Sequence, residues 1–252
     1  MLGELLPQVV FGYLLVMTRI ASLILVVPVL GETAISPRIR FAMAFLIALV
    51  VYPVVAGTLP AIATSPFGLA YQILVEVLVG LFIGGCARLV MSAINVAGTI
   101  IAFQSGLAVA QGFDPTQGSQ SAIIGTFLMS MATVLIFVTN LHHLLLAAIV
   151  HSFQQFPAGQ IPSIGDFSDL AVNIMGASFK LAVQISAPFL VYGLVFYMGL
   201  GLLARLMPQL QVFFIAMPLN IMLSFLIFIL VTGVGMTWFL DHFETIMMTF
   251  TG

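Results

Sequence analysis

Long stretches of this chain run almost without charge: Val9 to Leu30, Phe41 to Leu59, Phe67 to Ala87, Ser121 to Val150, Leu170 to Arg205 and Val212 to Leu240. A helix needs about 20 residues to cross a hydrocarbon core of ~30 Å, and most of these stretches are that long. In a bilayer every backbone polar group must be satisfied internally, and continuous apolar runs satisfy them as helices. The chain therefore reads as an all-α integral membrane protein. Breaks fall where proline, glycine and the few charges collect, at "GETAISPRIR", "LPAIATSPFG", "GFDPTQGSQ", "FPAGQIPSIGDFSD" and "MPQLQ".

Composition closes off several functions. Only 6% of residues are charged and 62% are hydrophobic, so each charge inside a span has a reason to be there: placing one at a helix centre costs about 2.5 to 3.5 kcal/mol on insertion scales. Six scattered Lys and Arg and a net charge of -2 give no basic cluster for phosphates, which argues against a nucleic-acid partner. Cys86 is the only cysteine; it excludes an intrachain disulfide and reads as a small buried apolar residue. Glu4 stands where a signal peptide would carry positive charge and Arg19 lies near the centre of the first run, so the first helix is expected to remain. Arg38 and Arg40 follow that span, and the connection around residues 60 to 66 has no basic residue. The positive-inside rule then places the N-terminus outside.

No motif for a nucleophile, a phosphate-binding loop or a dinucleotide is present. His142 and His143 are adjacent, so on a helix their side chains are expected to diverge by about 100°. His151 could share a face with His143, but no carboxylate or thiol lies nearby. No enzyme activity, metal or cofactor is expected.

Two segments carry polar residues at helical spacing. Arg88, Ser92, Asn95 and Thr99 fall on one helix face, as do Asn173, Lys180 and Gln184 together with Gly176 and Ala177. Two readings stand: hydrogen-bonding contacts between helices, or faces turned to water in a lumen, where Arg88 and Lys180 cost little. Both exclude lipid. Arg19 and Glu76 are the conspicuous intramembrane charges; they pair with each other or face a neighbouring subunit. Gly80 and Gly84 in "GLFIGG" allow close approach of another helix, within the chain or from a partner. Pro53, Pro188 and Pro218 interrupt apolar runs and are expected to kink or end their helices, giving bent and partly re-entrant helices. Such broken helices with intramembrane charges also suit a secondary transporter, although no paired half-repeats are visible.

Several blocks together resemble the FliR/SctT family of type III secretion export-gate proteins: "TRIASLILVVPVLGE" with "SPRIR", "EVLVGLFIGG", "AGTIIAFQSGLAVAQGFDP", "NLHHLLLAAIVHSFQQFPAG" and "LGLLARLMPQLQVFFIAMPLNI". They keep the family order over nearly the whole chain. The resemblance implies a single export-gate domain over residues 1–252, built of bent helices and helical hairpins within a helical assembly. It also implies FliP and FliQ as companions, FlhB and FlhA nearby, and unfolded flagellar proteins as cargo crossing the bacterial inner membrane at the flagellar basal body. The virulence-system SctT proteins are the alternative within the family.

The same resemblance implies a plug in the glycine- and glutamine-rich segment, at approximately Gly106 to Ser119. Gln104, Gly106, Leu107, Asp114 and Pro115 match the pattern, Gly112 lends backbone freedom, and Val109 and Phe113 are the apolar closure candidates. An ordinary exposed connector is the alternative. Late in the chain, Arg205, Pro208 and Gln209 in "ARLMPQLQVFF" read as helix-break residues that either contact neighbouring subunits or cap within the chain.

Overall fold

The computed structural model describes residues 2–28, 35–107, 123–207 and 212–251, with side chains from Leu6 and, after the last gap, from Ile215. Among the described residues there is no strand. The helices are α1 (Leu2–Val26), α2 (Pro37–Val55), α3 (Pro66–Gln104), α4 (Ile123–Val138), α5 (His142–Gln155), α6 (Ile164–Leu206) and α7 (Val212–Met248). By length and composition α1, α2, α3, α6 and α7 can each cross a membrane, and α4 with α5 forms a bent pair that adds a sixth span if counted as one.

Local chemistry explains most boundaries. Pro37 opens α2 in the position where its missing N–H is not needed, and a single 3-10 turn, Ala56–Thr58, closes it. Ser163 opens α6 with a capping pair: its hydroxyl donates to the Asp166 carboxylate and accepts from the Asp166 N–H at 3.4 Å. Gly106, at φ 76°, ends the turn that follows α3 in the left-handed region glycine favours. No breaker separates the apolar run ending at Ala87 from the polar stripe beyond it, so α3 continues unbroken for 39 residues.

The prolines do not end their helices. Pro53, Pro188 and Pro218 lie inside continuous helices. The sharp break falls instead within the run from Ser121 to Val150, where α4 and α5 meet at 73°. Asn140 makes that turn at φ 61°, a conformation asparagine tolerates better than most side chains.

The chain divides into two compact units, one comprising Met1–Val90, Ile136–Met175 and Phe243–Gly252, the other Met91–Leu135 and Gly176–His242. In the first, α1 and α2 form an antiparallel hairpin. Tyr13 meets Phe45 and Tyr52 edge-on and donates its hydroxyl to the Phe45 carbonyl at 2.9 Å. Helix α3 packs on α1 through its glycines: a Cβ on Gly84 would sit 2.8 Å from the Leu23 carbonyl oxygen, and one on Gly80 would run into the Arg19 carbonyl and the Ser22 hydroxyl. The Gly80–Gly84 spacing is therefore used inside the chain. In the second unit α3 and α4 touch backbone to backbone, since a Cβ on Gly98 would lie 2.7 Å from the Gly125 nitrogen. Phe189 and Phe239 are fully buried there.

Candidate functional site

Two polar constellations stand out from the apolar background, one in each unit. The first centres on Arg19, which is 0% exposed. Its Nε donates to Glu76 Oε2 at 2.6 Å. Nη1 donates to the Ser152 carbonyl at 2.9 Å and Nη2 to the Phe156 carbonyl at 3.0 Å, both at the C-terminal end of α5. The guanidinium lies 3.9 Å from the centre of the Phe153 ring, and the other Glu76 oxygen accepts from the Gly159 N–H at 3.0 Å. The arginine fork thus adds to the Ser152 carbonyl, which already accepts the Phe156 N–H, and takes the Phe156 carbonyl just past the helix end, where the negative end of the helix dipole favours a cation. The charge is satisfied without water, which is the condition for burying it.

The second constellation fixes the end of α3, from which the chain continues into residues 108–122. Asn220 of α7 is 3% exposed and donates from Nδ2 to the Gln104 carbonyl at 3.2 Å. Its Oδ1 accepts from the Tyr192 hydroxyl of α6 at 2.8 Å. The Gln104 amide side chain lies against Gly193, where a Cβ would fall 2.9 Å from Gln104 Cδ. A Cβ on Gly106 would come within 3.3 Å of Asn220 Nδ2. Three helices therefore meet around the Asn220 side chain, and two glycines make the room. Leu107, half-buried, is the last residue described before the gap. Val109, Gly112, Phe113, Asp114 and Pro115 lie outside the described residues.

The polar stripes stay at the surface of the single chain. Arg88 and Ser92 are exposed, Asn95 and Thr99 half-buried, and Thr99 donates to the Asn95 carbonyl at 2.9 Å. Asn173, Lys180 and Gln184 are exposed along α6, with Gly176 between them. Arg205 is exposed in the last turn of α6, where a cation complements the helix dipole; Pro208 and Gln209 lie outside the described residues.

The histidines depart from expectation. The rings of His142 and His143 do not diverge; their centres are 4.2 Å apart, because they sit where the turn at Asn140 enters α5 rather than in mid-helix. His143 Nδ1 lies 3.2 Å from the Asn140 carbonyl. Among the described residues no group of three His, Cys, Asp or Glu is placed to hold a metal ion. Cys86 is buried.

Sequence reasoning passed over Ser152, Gly159, Tyr192, Gly193 and Asn220. Asn220 carried a readable signal, a lone amide in the apolar run "AMPLNIMLSF"; the others are unremarkable until helices are brought together.

Residues 10–246 match the model of the bacterial export proteins, family 1. The chain belongs to this family. Among similar proteins, it is 38% identical over 238 residues to the flagellar biosynthetic protein FliR of Caulobacter vibrioides, covering 94% of each chain. It is 34% identical to FliR of Bacillus subtilis, over 88% of this chain and 86% of that one. Yop proteins translocation protein T of Yersinia pestis is 29% identical, over 91% and 89%. Membership in this export family, together with the apolar helices, makes the chain a membrane protein of flagellar or type III protein export. Both constellations fall within the residues that the family model covers.

Proposed function

We propose that this chain is a subunit of the flagellar type III export gate, joined to FliP and FliQ with FlhB and FlhA nearby, in the bacterial inner membrane at the flagellar basal body. It forms part of the conduit through which unfolded flagellar proteins pass, and it performs no chemistry on them. The observation that carries this reading is the length of α6. Its 43 residues run roughly 65 Å along the helix, against a hydrocarbon core of ~30 Å and tilts that rarely exceed about 40°. Roughly 25 Å of α6 therefore lies outside hydrocarbon.

Along the polar half of α6, Met175 is 57% and Phe179 61% exposed, opposite the Asn173–Lys180–Gln184 stripe. Such side chains beyond the lipid call for protein neighbours, and a helix with apolar residues on one side and polar ones on the other suits a place between companions and a wet bore. Higher identity to the two flagellar relatives than to the Yersinia protein favours the flagellar system. The segment that begins at Gly106 closes the bore at rest, anchored through Gln104 to α6 and α7.

Coexpression with FliP and FliQ, followed by purification in gentle detergent, tests the proposal. One particle containing all three polypeptides is expected. A stable single-chain protein that leaves both companions behind would contradict it.

A further inference from the structure

Within the first unit α3 is covered on most of its circumference. Gly80 and Gly84 lie against α1, and Phe82 stacks on Phe167 of α6 with ring centres 3.8 Å apart. One narrow strip stays open: between Tyr71 and Arg88 the exposed residues are Tyr71, Leu74, Leu78, Leu81 and Arg88 alone. They follow one another at steps of three, four, three and seven, and Gly85, half-buried, divides the last into four and three. Alternating steps of three and four are the spacing of the contact line between two coiled helices.

Two features of the strip separate a helix from lipid as its cover. Gly85 sits in mid-helix, where glycine costs about 1 kcal/mol relative to alanine, yet a Cβ there would meet nothing within 4 Å. The fold of this chain gives no reason for the missing side chain. A second helix crossing closely does, whereas acyl chains conform to any side chain. Arg88 supplies the second feature: it lies well inside α3, which runs on to Gln104, and has no hydrogen bond or ion pair among the described residues. A cation facing hydrocarbon costs about 2.5 to 3.5 kcal/mol on insertion scales. A carboxylate opposite it offsets that cost.

We infer that this strip of α3 seats an α-helix of another subunit, apolar where it faces Leu74 to Leu81, with a large side chain over Gly85 and an Asp or Glu opposite Arg88. Arg88 is thereby assigned to a contact between helices rather than to a wet lumen. The inference rests on the proposed place of the chain in a multi-subunit assembly, and adds to it the face, the secondary structure and the charge of one partner.

The test places a photoreactive benzoylphenylalanine at Leu78 of the full chain, and in a parallel strain at Phe179, and irradiates intact cells. At Leu78 a covalent product with another polypeptide is expected. Its captured peptide, mapped by mass spectrometry, should carry apolar residues at steps of three and four and a carboxylate about ten residues from the captured site, the separation of Leu78 and Arg88. Arg88→Glu should lower recovery of that partner in gentle detergent about fivefold or more, and Arg88→Gln should lower it less, both with unchanged helix content. Replacing the mapped carboxylate by Arg should restore recovery with Arg88→Glu but not with the unsubstituted chain. Labelling of lipid alone at Leu78, while Phe179 still captures protein, would overturn the inference and leave the proposed assembly standing. Capture of no polypeptide at either position would overturn both. A captured helix without a carboxylate at that separation, or with one whose reversal restores nothing, would also overturn the inference.

Discussion

Arg19 and Glu76, far apart in the chain, meet at 2.6 Å with neither side chain more than 1% exposed. The pair does more than cancel charge. Through Arg19 it holds the end of α5, and through Glu76 it holds the turn at Gly159, so α1, α3 and α5 are fixed to one another at a single point. Removing one partner leaves a buried charge and a neighbouring backbone group without that partner, the Phe156 carbonyl or the Gly159 N–H. Arg19→Ala or Glu76→Ala is therefore expected to destabilise the protein by about 3 to 5 kcal/mol. Arg19→Met combined with Glu76→Leu should recover part of that loss. Thermal unfolding in detergent measures both; a double variant no better than either single one would contradict the pairing energetics.

Gly80 and Gly85 give a contrast on one helix. A Cβ at Gly80 has no room beside Arg19 and Ser22, whereas one at Gly85 meets nothing within 4 Å. Gly80→Ala should lower the melting temperature clearly. Gly85→Ala should be neutral or stabilising by up to about 1 kcal/mol, the helix-propensity gain. Equal effects of the two substitutions would mean that α3 does not pack on α1 as described.

At the end of α3, Asn220→Leu removes a donor and an acceptor while keeping the volume similar. It leaves the Tyr192 hydroxyl and the Gln104 carbonyl without that partner, at a cost of about 1 to 3 kcal/mol. If this platform anchors the closing segment, ion leakage across the inner membrane should rise in cells carrying Asn220→Leu. Deletion of residues 106 to 118 should raise it further, both in assembled complexes. Leakage at the wild-type level from an intact complex carrying the deletion would count against a sealing role.

The α6 stripe makes a prediction about assembly rather than folding. Lys180 is exposed, so Lys180→Glu should leave the helix content of the chain unchanged. Recovery of companions in gentle detergent should fall several-fold. Unaltered recovery would indicate that this face of α6 meets water or lipid only.

How far the sequence carried the architecture follows from which interactions are local. Apolar length placed most of the spans, and the breaks at "GETAISPRIR" and "FPAGQIPSIGDFSD" contain Pro37 and Ser163, which set boundaries by rules that act within a few residues. The break at Asn140 was hidden because nothing in the run around it is a strong breaker; asparagine takes the left-handed conformation when packing favours the turn. Conversely Pro188 and Pro218 looked disruptive but lie inside continuous helices, as membrane helices allow when neighbouring groups satisfy the freed carbonyls. Arg19 and Glu76 could be singled out because buried charge is costly, whereas their geometry, and the roles of Ser152 and Gly159, exist only once α1, α3 and α5 meet. Asn220 likewise stood out as a lone amide in an apolar run, but its bonds to Tyr192 and to the Gln104 carbonyl leave no periodic trace.

The central claim is that protein neighbours, rather than lipid alone, cover α6. It is tested most directly by placing a photoreactive benzoylphenylalanine at Phe179, which is 61% exposed, and irradiating intact cells. The account predicts a covalent product with FliP, FliQ or another membrane component of the export apparatus, abolished when those partners are deleted. Irradiation that labels only lipid, with the chain migrating alone, would contradict it.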